Sequence, residues 1–135
     1  MSVADHLIDT SALVRMLLRQ ATAEWEQRMG AGLIALCDLT ELEVHCSARS
    51  AADREALRER LNQFTWCAMP DGIYRRARVV QRDLTAKGEH RRAGAVDLLV
   101  AAVAEESGLT LLHHDPDFET LARVTGQPVR MIDLK

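Results

Sequence analysis

Aromatic side chains are scarce, two Trp, one Tyr and two Phe in 135 residues, so a base-stacking platform for single-stranded nucleic acid is not indicated. Cysteine is scarce too. Cys37, Cys46 and Cys67 are odd in number, widely spaced and form no CxxC pair. They argue against a disulfide frame or a thiolate zinc site and for small core residues. No apolar run approaches the ~20 residues that would span a bilayer. The opening Met1-Ser2-Val3-Ala4-Asp5 lacks the basic and apolar regions of a signal peptide, and the expected location is the cytoplasm. An excess of positive charge is also missing: 17 Lys and Arg stand against 20 Asp and Glu, a net charge of -3. A protein that only gripped phosphates would usually be basic. A nucleic-acid function here requires that some acids hold metal ions, which reverse the local charge.

What is present is a normal globular composition, 47% apolar, in a chain long enough for one domain with a real core and too short for two ordinary ones. We therefore expect a single domain over residues 1–135. His6-Leu7-Ile8, Leu33 to Cys37, Thr65 to Ala68, Leu109 to Leu112 and Val129 to Ile132 have the look of short strands. Helices are expected between them. The first runs from Ala12 to about Gln20, capped by Thr10 or Ser11, and the second from about Ala21 to Met29. Thr40-Glu41-Leu42-Glu43 has the form of a capping box opening a helix to about Arg49. Ser50 opens another, with Leu57, Leu61 and Phe64 on one face. Pro70-Asp71 opens a longer one ending at Gly88. Gly88 to Gly94 reads as an exposed loop. Ala95 to Glu106 has an almost wholly apolar middle, the mark of a buried helix, and a short helix follows Asp115-Pro116. Strands alternating with helices argue for a parallel sheet covered on both faces, and in such sheets sites form at the carboxyl ends of the strands.

Two acids sit where that rule points. Asp9 directly follows the first strand, and Asp115 follows the fourth. Asp97 lies near the start of the buried apolar helix and Glu43 in the helix after the second strand. Carboxylates crowded into one pocket raise one another's pKa unless a cation removes the conflict. Hard oxygen ligands favour Mg2+ or Mn2+, which can support hydrolysis of a phosphodiester. Each acid also has a structural reading: Asp9 as a helix cap, Glu43 as a capping-box partner, Asp97 as a complement to a helix dipole, Asp115 as the start of an Asp-Pro turn.

At these residues the sequence resembles the PIN-domain family, and within it the VapC-type toxins of bacterial toxin–antitoxin systems. The segments that carry the resemblance are Leu7-Ile8-Asp9-Thr10-Ser11-Ala12-Leu13, then Leu39 to Val44 followed by Ser47-Ala48-Arg49, then Asp97 to Ala102, and His114-Asp115-Pro116-Asp117-Phe118. The resemblance implies a three-layer α/β/α sandwich around a parallel sheet of about four or five strands. It implies a Mg2+-dependent endoribonuclease, with Mn2+ as a possible substitute, whose metal quartet is Asp9, Glu43, Asp97 and Asp115, with Asp117 beside it. It also implies an RNA substrate, a cognate antitoxin and a homodimer. Glu41 competes with Glu43 for the second position. His114 stands where the family usually carries a small hydroxyl residue.

Other residues invite a functional reading. His113-His114-Asp115 suggests zinc, but neighbouring strand residues point to opposite faces. Arg75, Arg76 and Arg78 on one helix, Arg91 and Arg92 in the loop, and Arg15 near the rim could meet phosphates or simply be solvated. Trp66 reads as core or interface. Two other functions compete with the nuclease. A phosphoryl-transfer or signalling domain would accept a phosphoryl group on Asp9, but it usually needs a further acid beside the nucleophile and a pocket lysine, and the chain has only Lys87 and Lys135. A non-catalytic PIN-like binding module would be marked by lost acids, and none is missing.

Overall fold

The computed structural model describes residues 3–135; the part of the signal-peptide reading that rests on Met1 and Ser2 lies outside the described residues. Among the described residues five strands form one parallel sheet: β1 (His6–Ile8), β2 (Ile34–Leu36), β3 (Thr65–Trp66), β4 (Thr110–His113) and β5 (Val129–Met131), in the spatial order β3-β2-β1-β4-β5. The helices are α1 (Thr10–Leu17), α2 (Ala23–Gly30), α3 (Asp38–His45), α4 (Ala51–Leu61), α5 (Ile73–Ala86), α6 (Ala95–Glu106) and α7 (Pro116–Thr125).

Alternation along the central strands makes the layers. Successive strand residues face opposite sides of a sheet. Leu7 and Leu111 pack on one side against Ile73, Val80 and Leu84 of α5, the apolar run of α6, and Phe118 and Leu121 of α7. Ile8 and Leu112 pack on the other side with Leu13 and Met16 of α1, Trp25 of α2 and Leu61 of α4. The result is an α/β/α sandwich, as expected. Both cores depend on β1, whose Leu7 and Ile8 are fully buried; truncating either to Ala would cost about 2–5 kcal/mol. The register Ile8↔Leu112 brings the carboxyl ends of β1 and β4 side by side. Among the described residues no helix is long and apolar enough to cross a membrane.

Several local expectations shift. α1 stops at Leu17 rather than near Gln20, because Arg19 turns left-handed at φ 56°. The Gln20 N–H then bonds Arg15 O at 2.9 Å and the Arg19 N–H bonds Met16 O at 3.0 Å, the paired closure of a Schellman motif. α3 begins at Asp38, two residues before the capping box read at Thr40. Thr40 is buried, and its hydroxyl donates to Ile8 O at 3.4 Å across the sheet edge instead of capping. Glu43 consequently stands in the second turn of α3. Ser50 does cap α4, accepting from Asp53 N at 3.0 Å. α5 begins at Ile73, after Pro70-Asp71, and the loop after it contains a 3-10 turn over His90–Arg92. Only Cys37 is buried; Cys67 is half-buried and Cys46 exposed. Trp66, on the edge strand β3, is 47% exposed and belongs to neither core.

Candidate metal centre

Asp9 is both the end of β1 and the beginning of α1. Its N–H donates to Leu112 O at 3.0 Å, continuing the sheet, while its carbonyl accepts from Leu13 N at 2.9 Å, opening the helix. The carboxylate accepts from Ser11 N at 3.1 Å and Ala12 N at 3.3 Å. Asp9, not Thr10 or Ser11, is therefore the cap of α1. Ser11 instead donates its hydroxyl to Asp9, at 2.8 Å and 3.0 Å from the two carboxylate oxygens. The same hydroxyl accepts the His114 backbone N–H at 2.8 Å, tying the first motif to the fourth.

The other acids arrive on separate elements. Asp97 is the third residue of α6, and its Oδ2 accepts the Gly94 N–H at 3.3 Å. Asp115 caps α7, its Oδ1 accepting from Asp117 N at 2.9 Å, with Pro116 preset at the first helical position. Glu43 projects from α3 and accepts the Thr10 hydroxyl. Asp9, Glu43, Asp97 and Asp115 line one open cleft of about 460 Å3, together with Thr10, Ser11, Val14 and Arg15. Glu41 does not line it and faces Arg58 of α4 at 3.9 Å. Asp117 stands beside the cleft, 3.9 Å from Arg92.

Electrostatics bear the mark of burial first and of crowding after it. Asp9 is 4% exposed. Burial pushes its carboxyl up to about 6, against the pull of the Ser11 and Ala12 bonds, and the charge of Asp97 adds to the push. Asp97 is also raised, first by burial and then by Glu43, Asp115 and Asp117, opposed by the Gly94 bond. Arg15 is the cation in the cleft lining, and its Nη1 also donates to Gln20 Oε1 at 3.0 Å. Arg76 is bound to Glu105 through Nε at 2.6 Å and Nη2 at 3.1 Å, so it braces α5 against α6. Arg75 and Arg78 border a separate depression with Tyr74. His113 is fully buried, its Nε2 3.1 Å from Glu119, and desolvation holds its pKa below the usual value against the pull of that carboxylate.

The donor set suits a hard cation. It consists of carboxylate oxygens, two of them held above their ordinary range in a cleft with one basic residue. Among the described residues no three His, Cys, Asp or Glu side chains meet closely enough to bind one ion directly; the acids ring the cleft instead. Carboxylate oxygens are the donors a hard divalent cation takes, and among the described residues no thiol or imidazole lines the cleft.

The PIN domain family profile matches residues 6–124. Ribonuclease VapC21 of Mycobacterium tuberculosis is 40% identical over 128 residues, covering 94% of this chain and 93% of that protein. Ribonuclease VapC51 of the same organism is 38% identical over 127 residues, covering 94% and 92%. A chain in the crystal structure of DNA-bound VapBC from Salmonella typhimurium matches with a TM-score of 0.77 over 96% of this chain and 98% of that one, at 15% identity, a likeness of fold. The matches in sequence and in fold agree, and the chain belongs to the PIN domain family, where its relatives are VapC ribonucleases.

Proposed function

We propose that this chain is a metal-dependent endoribonuclease, the toxin component of a toxin–antitoxin pair, acting as one domain over residues 1–135 in the cytoplasm. Its substrate is RNA, its regulator a cognate antitoxin, and its working form a homodimer. The observation that carries the reading is the single cleft into which four separate elements bring Asp9, Glu43, Asp97 and Asp115. The family membership supports it independently.

Asp9, Glu43, Asp97 and Asp115 would hold Mg2+ or Mn2+, with Asp117 adding charge from the side. A divalent cation held there supplies the positive charge that admits a phosphodiester and the Lewis acidity for its hydrolysis. Ser11 keeps the Asp9 carboxylate oriented through its hydroxyl. Thr10 does the same for Glu43. Arg15 is placed to meet a phosphate at the cleft wall. The fold-level requirement is that β1 and β4 stay in register, since Asp9 and Asp115 leave the sheet from adjacent strands.

The test uses purified protein freed of any partner, a mixed RNA pool, and Mg2+ or EDTA, beside Asp97→Asn. Cleavage is expected to require both Mg2+ and Asp97, with the variant reduced by about 100-fold or more, the several kcal/mol that metal-ion catalysis supplies. Metal binding without cleavage of mixed, transfer or ribosomal RNA would support the binding module instead, and phosphorylation of Asp9 by a small phosphodonor would support the signalling domain.

A further inference from the structure

His113 closes β4 two residues before Asp115 and is fully buried. Its ring has a polar partner at each nitrogen. Nδ1 accepts the Asp115 backbone N–H at 3.1 Å, and Nε2 lies 3.1 Å from Glu119 Oε1. A backbone N–H can only donate, so Nδ1 carries the lone pair and Nε2 carries the proton that goes to the carboxylate. Phe118 packs against the ring with centroids 5.3 Å apart. The tautomer and the ring plane are thus both fixed.

The ring acts on the segment that delivers Asp115. The His114 N–H is held by Ser11 Oγ at 2.8 Å, the Asp115 N–H by His113 Nδ1, and the Asp117 N–H by Asp115 Oδ1 at 2.9 Å. Pro116 has no N–H to hold. Each amide proton from 114 to 117 therefore ends on a side chain, and the turn from β4 into α7 has little freedom to move its carboxylate. Removing the acceptor would leave a partly buried N–H unpaired, which the chain relieves by rotating the peptide.

We propose that His113, oriented by Glu119, is a positioning residue for the carboxylate centre: it pins the Asp115 backbone through Nδ1 and so sets where the Asp115 side chain stands. The inference rests on the metal-site reading above, and it gives the imidazole a place in that site without making it a ligand.

Mn2+ affinity, read from the free-ion signal in electron paramagnetic resonance, tests it alongside thermal melts. In His113→Asn the amide oxygen falls where Nδ1 was and can still accept the Asp115 N–H. In His113→Gln the amide moves one bond further, toward Glu119, and that N–H loses its acceptor. Both variants lose the ring and its packing, so a purely structural role would weaken both alike. The expected result is a split: His113→Gln loses about 10- to 100-fold in Mn2+ affinity, the usual effect of removing a residue that orients a ligand, and His113→Asn recovers most of it. Equal affinities for the two variants would overturn the inference while leaving the metal site standing. Wild-type protein that takes up no Mn2+, or Asp97→Asn that binds it as well as wild type, would overturn the metal-site reading and this inference with it. If His113→Gln does not fold, Glu119→Ala, at an exposed position, decides: a severalfold weaker Mn2+ affinity is expected, and unchanged affinity overturns the proposal.

Discussion

Asp9→Asn separates the charge of Asp9 from its shape. Asn caps a helix about as well as Asp, so the bonds to Ser11 N and Ala12 N can persist. What disappears is a charge the fold keeps 4% exposed. The Asp9 carboxyl rises from 3.8 to about 6 on folding. That difference of about 2 units, at about 1.4 kcal/mol each, makes the ionised native state about 3 kcal/mol less stable than it would be with an unshifted group. The sign follows from proton uptake. Below 3.8 both folded and unfolded chains hold the proton and there is no penalty. Between 3.8 and about 6 the unfolded chain ionises and the folded chain does not, so stability falls as pH rises. Above about 6 the penalty is constant. The bonds to Ser11 N and Ala12 N already lower the shifted value, so their attraction for the charge is not subtracted again and the gain is about 3 kcal/mol. In a chain of this size that is about 9–15 °C in Tm. Melts by circular dichroism in EDTA should show the variant more stable near neutral pH and equal to wild type near pH 4. Added Mg2+ should raise the wild-type Tm by mass action and leave the variant's unchanged. A variant that melts below wild type in EDTA at neutral pH would refute the reasoning and make Asp9 a cap whose charge is favourable.

Glu43→Gln should lower Mg2+-dependent cleavage by about 100-fold or more, whereas Glu41→Gln should leave it unchanged and cost at most about 1 kcal/mol, because the half-buried Glu41 meets the exposed Arg58 only at 3.9 Å; single-turnover rates with the reverse pattern would transfer the ligand role to Glu41. Arg19→Gly should raise stability by up to about 1 kcal/mol, since a left-handed non-glycine residue costs about 1–2 kcal/mol and glycine's extra freedom in the unfolded chain takes back part of the gain. Urea denaturation checks this, and a loss of stability would mean that contacts of the Arg19 side chain outweigh its backbone strain.

The layer architecture was legible because β1 and β4 are short apolar runs between helices of clear periodicity, and α6 is apolar on nearly every face. The strand order was not legible. Nothing local in Leu7-Ile8 says that it pairs with Leu111-Leu112 rather than with Val129 and Met131, or that β4 lies between β1 and β5. Boundaries failed where a distant contact took over a local signal. Thr40 matches a capping box in sequence, but its hydroxyl goes to Ile8 O, and α3 starts earlier in consequence. The end of α1 carries no glycine to announce it, because Arg19 adopts the conformation that glycine would supply cheaply.

For the acids, sequence alone offered capping and function as alternatives, and the structure removes the opposition between the two local geometries. Asp9, Asp97 and Asp115 each accept an N–H at the start of a helix and each line the same cleft. The positive ends of α1, α6 and α7 are thereby directed at one place, and each helix N-terminus can offset about 0.3–1 kcal/mol of carboxylate charge. Capping is thus part of what lets like charges collect there. It does not complete the task, because Asp9 and Asp97 remain raised despite their N–H bonds. Burial is the larger cause of both shifts and the neighbouring carboxylates add to it, and a divalent cation would relieve both. Such a cation is also why a chain of net charge -3 can be read as a nuclease: much of the positive charge for the substrate would be recruited by the acids rather than encoded in lysine and arginine.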